Sequence, residues 1–302
     1  MHWQKLGLLY QPQCEHPQLR SHAANPLALP LAGDNYRVYY SGRDANNRSS
    51  VSYIEMDLRR REVTYVHPQP VFTYGPAGSF YADGVSIGNC YRADDKLYML
   101  FMGWQNPPDR HWHGEIGRLI VAHDGGLHLD KEQSLLGLDA TDPVSLSYPW
   151  VTGDADIGYH MWYGSTVSWD AGNGEMLHII KSARSDDGHH WRRGSCAIPY
   201  ELGVAQAFSR PTVIGNQDQG FHMWYSYRPG DGTAYRIAYA SSADGVHWQR
   251  QLTTANLPVS ASGWDAEMTA YPFVFQHHGH YYMLYNGNGY GRSGFGLAIL
   301  EN

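Results

Sequence analysis

The stretch Phe221-His222-Met223-Trp224-Tyr225-Ser226 alternates aromatic and apolar side chains and ends in a small polar residue, a pattern typical of a β-strand. Five segments of this kind occur in the chain, and their last residues are 41, 102, 164, 226 and 286. The segment therefore recurs every 60 to 62 residues, which predicts a repeat architecture. The other four segments are Tyr36-Arg37-Val38-Tyr39-Tyr40-Ser41, Leu97-Tyr98-Met99-Leu100-Phe101-Met102, Tyr159-His160-Met161-Trp162-Tyr163-Gly164 and Tyr281-Tyr282-Met283-Leu284-Tyr285-Asn286.

Two further markers divide each repeat into strands. A proline precedes four of the five aromatic segments at a nearly constant distance, where it can begin another strand at little cost. The second repeat has Ile87 at the corresponding place. Asp-Gly pairs at 187–188 and 244–245 follow the aromatic segments and indicate hairpin turns. The prolines are Pro26, Pro149, Pro211 and Pro272.

Four strands in about 60 residues, repeated five times, predict an all-β fold of the five-bladed β-propeller type with four-stranded blades. No stretch has the periodicity of a long amphipathic helix. The fifth repeat stops after its third strand, so we expect the N-terminal residues 3–10 to supply the missing strand and close the ring. The chain is then a single domain over residues 1–302.

Composition and charge exclude several classes of protein. The 302 residues carry 22 basic and 29 acidic side chains, a net charge of −7, and lack the basic patch of a nucleic-acid-binding protein. No apolar run is long enough to span a membrane, and the first residues lack the order of a secretory signal, which predicts a cytoplasmic protein. Three cysteines are too few for a disulfide scaffold, and no spacing identifies a metal site or a cofactor.

The candidate site residues flank the starts of the first strands and the ends of the aromatic strands, because these loops form the binding face of a propeller. Aromatic rings there can stack on sugars, and arginines can bind an anionic group. Cleaving a glycosidic bond needs two carboxyl groups. We predict Asp83 and Glu267 as this pair, with Asp44 as a third group that orients them. The predicted substrate-binding residues are His22, Asn25, Arg43, Arg48, Trp104, Asp142, Trp169, Arg210, Arg228 and Tyr290.

Several of these positions belong to a recognisable set of motifs: Asn25-Pro26, Ser41-Gly42-Arg43-Asp44, Asp83, Ser147-Tyr148-Pro149, Ser209-Arg210-Pro211 and Glu267. With them, the chain resembles the five-bladed propeller glycosidase superfamily, which includes glycoside hydrolase families 43, 32 and 68 and the mannoside phosphorylase family 130. In the segments at 42–49, 146–149, 223–228 and 285–291 it also resembles glycosidase-like proteins associated with bacterial surface-polysaccharide gene clusters. The resemblance spans nearly the whole chain and implies a carbohydrate substrate.

The chain departs from this superfamily at two positions. Families 43 and 32 resemble each other in having a base or nucleophile Asp on the first inner strand and an acid Glu on the third. Asn25 stands at the first of these places, and Ser147-Tyr148 stands at the second. Asp83 in the second repeat fits the superfamily pattern. The resemblance implies that any other catalytic carboxylates are redistributed, with Glu267 in the fifth repeat and Asp44 in the first as the best replacements.

Three functions remain open on the sequence. The first is a glycan-active enzyme that cleaves or transfers a glycosyl unit with paired carboxylates in the channel, acting as a glycosidase, phosphorylase or transglycosylase. The second is a carbohydrate-binding propeller without activity, and the third is a glycosyltransferase of bacterial polysaccharide metabolism. The arginines and His22 suit an anionic sugar or phosphate as a ligand. The sequence predicts no nucleic-acid partner and leaves the oligomeric state open.

Overall fold

The computed structural model describes residues 1–14, 16–216, 218–254 and 256–301, and the fold is all-β. A 3-10 helix (Pro17–Leu19) and a four-residue helix α1 (Asn288–Gly291) interrupt the strands. The strands are β1 (His2–Tyr10), β2 (Ser21–Pro30), β3 (Asn35–Arg43), β4 (Ser49–Asp57), β5 (Glu62–Val66), β6 (Gly84–Ala93), β7 (Lys96–Gln105), β8 (His113–Val121), β9 (Leu127–Leu129), β10 (Ser145–Asp154), β11 (Gly158–Ser168), β12 (Leu177–Ser185), β13 (Arg192–Cys196), β14 (Ser209–Asn216), β15 (Gly220–Tyr227), β16 (Arg236–Ser242), β17 (Trp248–Gln251), β18 (Ala270–His277), β19 (His280–Asn286) and β20 (Phe295–Glu301).

Within each group of strands, consecutive strands pair antiparallel. Three sheets have four strands each: β10-β11-β12-β13, β14-β15-β16-β17 and β1-β20-β19-β18. In the remaining sheet, strands β2 to β5 form one such group and strands β6 to β9 form another. One parallel residue pair, Ser49 with Gly84, joins the two groups. We call the groups that begin at β2, β6, β10, β14 and β18 units 1 to 5.

The N-terminal strand completes unit 5, as the sequence predicts. Strand β1 pairs antiparallel with β20 from His2 opposite Glu301 to Tyr10 opposite Phe295. Trp3 on this strand is buried, and its ring lies 5.6 Å from that of Trp224 in unit 4. The first and last strands of the chain therefore stabilise each other through both backbone pairing and aromatic packing.

The first strands of the five units contact one another in cyclic order. Contacts join β2 to β6, β6 to β10, β10 to β14, β14 to β18, and β18 back to β2. The aromatic second strands lie next to them and supply fully buried rings, among them Trp162 and Trp224. This arrangement brings the starts of all five first strands to one place in the molecule.

A β-bulge follows the start of each first strand, where two residues face one on the partner strand. In four units the bulge is the residue before a proline together with that proline. Asn25, Tyr148, Arg210 and Tyr271 precede these prolines and have positive φ angles of 56°, 34°, 46° and 55°. Non-glycine residues rarely adopt this conformation, and it is concentrated at functional sites.

The register corrects one detail of the sequence analysis. In unit 2 the two bulge residues are Gly88 and Asn89, so Asn89 and not Ile87 stands where the other units have proline. The Asn89 side chain donates to the Val151 carbonyl and accepts from the Val151 N–H, at 2.8 and 2.9 Å. Asn89 thus connects units 2 and 3 by hydrogen bonds.

Within the described part of the chain, no helix reaches the length and apolar character that a bilayer crossing requires.

Candidate functional site

A pocket of about 440 Å³ lies where the starts of the first strands meet, and every unit contributes to its lining. Two arginines, one histidine, six tyrosine or tryptophan rings and several small polar side chains face it, and no acidic residue lines it within the described ranges of the chain. The lining residues are Arg43, Asn47, Ser86, Met102, Trp104, Asn106, Trp112, Ser147, Tyr148, Met176, His178, Ser209, Arg228, Tyr235, Tyr271 and Tyr290.

Four tyrosines form one continuous ring surface in the pocket. The Tyr148 and Tyr271 rings are 5.3 Å apart, and Tyr235 lies 6.1 Å from Tyr271 and 6.0 Å from Tyr290. Burial is the main cause that raises the pKa of both Tyr235 and Tyr271 above the usual range. These phenols are therefore neutral near pH 7, and they offer ring faces and O–H donors to a ligand.

Arg210 lies beneath this surface, between the first strands. It is 1% exposed, and its Nη2 donates to the Pro26 carbonyl at 2.9 Å. Its Nε and Nη1 are buried without a hydrogen-bond partner among the described residues. Burial lowers its pKa to about 9, while Tyr148 and Tyr271 oppose the shift. The guanidinium remains charged at neutral pH and places a positive charge close to Tyr148 and Tyr271, although Arg210 itself is not among the residues that line the pocket.

The two lining arginines differ in how they are held. Arg228 donates from Nη2 to Glu175 Oε1 at 2.6 Å and stacks over the Tyr235 ring at 4.9 Å. Arg43 makes no hydrogen bond or ion pair with any side chain in the described ranges, although it lowers the pKa of nearby His22. Of the two lining arginines, Arg43 is therefore the one without a side-chain partner in the part of the chain that the structure describes.

His178 reaches the pocket from the third strand of unit 3. Its ring nitrogens lie 2.7 Å from Ser147 Oγ and 2.7 Å from Thr166 Oγ1. Burial, with a smaller contribution from Arg228, lowers the pKa of His178 to about 4. The imidazole is thus neutral at pH 7 and orients two hydroxyl groups, one of which lines the pocket.

The structure brings four of the predicted binding residues to the pocket: Arg43, Trp104, Arg228 and Tyr290. Trp104 fits because residue 84 is glycine, and a Cβ there would collide with the indole. Trp169 is not a lining residue, but its ring lies 4.9 Å from the ring of the lining residue Trp112. Asn25 lies buried below the pocket, with an Oδ1 that has no partner in the described residues.

Three predicted residues are held in local structure. The Asp44 carboxylate accepts from the N–H groups of Asn46 and Arg48 and from Arg48 Nε, at 2.8 to 2.9 Å. Arg48 also stacks over the Tyr74 ring at 4.0 Å. His22 is buried, its Nδ1 lies 2.9 Å from Ser21 Oγ, and burial with nearby Arg43 lowers its pKa to about 4. The pair formed by Asp44 and Arg48 stabilises the turn that carries the lining residue Asn47.

Asp142 is fully buried in a polar cluster, outside the lining of the pocket. Its two oxygens accept from Lys181 Nζ at 2.8 Å, Arg193 Nη1 at 2.6 Å, Ser165 Oγ at 2.6 Å and Tyr163 Oη at 2.9 Å. Burial opposes the charge, but these four hydrogen bonds lower the pKa of Asp142. Asp142 is therefore a partner for two cations of unit 3.

The remaining predicted carboxylates, Asp83 and Glu267, are not among the residues that line the pocket. Asp83 accepts from the N–H of the lining residue Asn106 at 2.7 Å and is half-buried. Glu267 is exposed, and its carboxylate has no hydrogen-bond partner within the described residues. Its backbone N–H donates to Asn288 Oδ1 at 2.8 Å, next to the helix that carries Tyr290.

Sequence analysis missed His178, Tyr235, Trp112 and the ion-paired Glu175. All four lie at or just before the start of a third strand, whereas the sequence analysis considered only the first strands and the ends of the second strands. His178 carried a signal, because it is the one polar residue in the apolar run Leu177-His178-Ile179-Ile180.

No family model matches the chain. Two Mycobacterium tuberculosis proteins described as uncharacterised, MT1551 and Rv1502, are each 39% identical to it over 307 residues, covering all of this chain and all of the relative. Among solved structures, a glycoside hydrolase covers 98% of this chain and 90% of its own at a TM-score of 0.75 and 16% identity. A thermostable family-43 glycoside hydrolase covers 92% of this chain and 88% of its own, at a TM-score of 0.66 and 16% identity. An endo-arabinase from Bacteroides thetaiotaomicron covers 95% of this chain and 96% of its own, at a TM-score of 0.68 and 11% identity. The resemblance to glycoside hydrolases that the motifs predict is confirmed at the level of the fold.

Proposed function

The chain belongs to the family of the mycobacterial proteins MT1551 and Rv1502, and we propose that it is a glycan-active enzyme of the glycoside hydrolase type that binds an anionic sugar. One observation carries the proposal: a pocket formed by all five units combines six aromatic rings with Arg43, which has no side-chain partner among the described residues, and the buried Arg210 lies close to two of these rings. Rings stack on pyranose faces, and guanidinium groups bind carboxylate or phosphate in a bidentate manner.

We further propose that the five units are the blades of one five-bladed propeller over residues 1–302. The cyclic contacts of β2, β6, β10, β14 and β18 support this arrangement, as does the pairing of β1 with β20. The pocket then lies at one mouth of the central channel. This location suits a ligand site, because side chains from every blade converge there.

Binding should depend on Arg43. We expect the protein to bind sugars with carboxylate or phosphate groups more tightly than matched neutral sugars on a glycan array. Arg43→Gln should weaken binding of the anionic sugars by roughly 10-fold or more, because hydrogen bonds to charged groups contribute about 1.5–3 kcal/mol. The exposed Arg60, which pairs with Asp57 away from the pocket, provides the matched control Arg60→Gln. An unchanged preference in Arg43→Gln would contradict the proposal.

For the reaction itself, we propose Asp83 and Glu267 as the pair of carboxyl groups. One would protonate the glycosidic oxygen, and the other would act as base or nucleophile. Support comes from the contact of Asp83 with the lining residue Asn106. Glu267 has an exposed carboxylate without a hydrogen-bond partner among the described residues, and its N–H donates to Asn288, in the helix that carries Tyr290. Asp44 would act as a positioning residue, because its oxygens hold the turn that places Asn47.

Glu267→Gln and Asp83→Asn should each lower the rate of glycoside cleavage by about 100-fold or more while leaving binding on the glycan array intact. The assay uses aryl glycosides of neutral and uronic acid sugars, with and without added phosphate to detect phosphorolysis. Glu132→Gln, at an exposed loop residue, is the matched control. Full activity in Glu267→Gln would exclude Glu267 from the reaction, and Glu175→Gln then tests the carboxylate that contacts Arg228.

A second function, glycan binding without cleavage, is favoured by one observation: among the residues that the structure describes, no carboxylate lines the pocket. The same two assays separate these functions. Selective binding of anionic glycans together with release of product supports the enzyme. Selective binding without product, even in the presence of phosphate or a sugar nucleotide, supports the binding protein.

A further inference from the structure

A cluster of metal-ligating side chains lies at the opposite end of β2 and β18 from the pocket. Asp34 is in the turn between β2 and β3 of unit 1, whereas His277 ends β18 of unit 5 and His278 follows it. Asp34 Oδ1 is 2.9 Å from His277 Nε2 and 3.4 Å from His278 Nε2. One ligand atom from each of the three residues lies within 4.8 Å of the other two.

We propose that Asp34, His277 and His278 bind a divalent first-row transition-metal ion, with zinc as the best-suited ion. Two imidazoles and one carboxylate are ligands that zinc prefers, and their atoms are already close enough to converge on one ion. A depression of about 570 Å³ surrounds the cluster and also contains His280, which offers a fourth ligand or leaves that position to water. Arg59 and Arg61 line the same depression and oppose the charge of the ion, so we expect moderate affinity.

Tyr36 provides the outer partner that a metal-bound histidine needs. Its Oη is 3.0 Å from His277 Nδ1, on the side of the ring away from Asp34. With a metal at Nε2, the Nδ1–H donates to Tyr36 and fixes the tautomer and orientation of the ring. Without a metal, Tyr36 donates to Nδ1 and the Nε2–H donates to Asp34. The same side chains therefore satisfy both states, and the ion replaces one proton.

Such an ion would connect unit 1 to unit 5, at the junction where the first and last units of the chain meet. Because Asp34 and His277 are 243 residues apart, an ion held by both constrains the separation of these units. Binding only to the folded chain stabilises it, so the metal should raise the unfolding temperature. The large separation also explains why no spacing in the sequence identified the site.

The test is a calorimetric titration of the chelator-treated protein with zinc chloride alone at pH 7.5. Cys14→Ser and Cys196→Ser are introduced first, because both thiols are exposed and could bind zinc themselves. We expect saturable binding of one ion per chain and a higher unfolding temperature in zinc. His278→Ala and Asp34→Asn should each weaken binding by more than roughly 10-fold, and Tyr36→Phe by roughly 10-fold. His278 is 75% exposed, so its replacement leaves the fold intact.

The turn at 185–191 offers a matched control, since it also contains two adjacent histidines beside an aspartate. His190 there is 91% exposed and lies 2.6 Å from Asp187. His190→Ala should leave zinc affinity and stoichiometry unchanged. The proposal is overturned if the chain shows no saturable binding, if His278→Ala and Asp34→Asn bind zinc as the parent does, or if His190→Ala loses as much affinity as His278→Ala.

Discussion

Replacing Asp142 with alanine is expected to lower the free energy of unfolding by about 3–5 kcal/mol. The reason is that Lys181 and Arg193 both donate to this carboxylate, and their side chains are only 11% and 15% exposed. Removing the carboxylate leaves two largely buried cations without their shared counter-charge. Ser165 and Tyr163 lose an acceptor at the same time. The expected loss is a large part of the stability of an ordinary domain.

Denaturant unfolding followed by tryptophan fluorescence measures this loss. Asp139→Asn is the matched control, because Asp139 also pairs with Arg193 but its side chain is 44% exposed, and exposed pairs contribute less than about 1 kcal/mol. Equal stability of Asp142→Ala and Asp139→Asn would contradict the role of Asp142 as the centre of the cluster. Asp142→Asn keeps the shape and tests binding: unchanged binding to the glycan array would place Asp142 outside substrate recognition.

The sequence predicted the strands well, because the information needed is local and repeated. The aromatic segments became the second strand of each unit, and the Asp-Gly pairs became turns with Gly188 and Gly245 at φ angles of 74° and 71°. The pairing of β1 with β20 was also predictable, because the fifth repeat had only three strands and the N-terminal segment formed a strand that belonged to no other repeat. The equivalence of Asn89 with proline was missed, since only hydrogen-bond register reveals a bulge.

The candidate site was predictable only where strand position decides it. Arg43 and Arg228 follow the aromatic strands, so their place along the chain indicates the pocket. The carboxylates could not be assigned in this way. Asp44 and Asp83 both stand in loops at the end of the molecule that carries the pocket. The Asp44 carboxylate accepts its hydrogen bonds from its own turn, whereas Asp83 contacts the pocket residue Asn106. That difference depends on which N–H groups lie within reach, which local sequence does not specify.

Acid should destabilise the protein strongly between pH 6.5 and 4. Burial is the main cause that lowers the pKa of His22, His160 and His178 from 6.5 to about 4, and nearby arginines add to the shift. Above pH 6.5 these imidazoles are neutral in the folded and unfolded chains, so their contribution to stability is fully present. As the pH falls below 6.5, the unfolded chain binds protons that the folded chain excludes, and stability is lost.

At pH 5 this difference costs about 2 kcal/mol for each histidine, and therefore about 6 kcal/mol for the three relative to pH 7.5. His160→Phe isolates one of these contributions. The ring of His160 packs against that of Trp162 with centroids 4.0 Å apart, and its Nε2 is buried without a partner in the described residues. Phenylalanine therefore keeps the packing and removes the titrating group. Denaturant unfolding at pH 7.5 and at pH 5 should show that acid lowers the stability of this variant by about one third less than it lowers that of the parent. His128→Phe, at an exposed histidine, is the matched control. An acid loss in His160→Phe equal to that of the parent would mean that other groups cause the destabilisation.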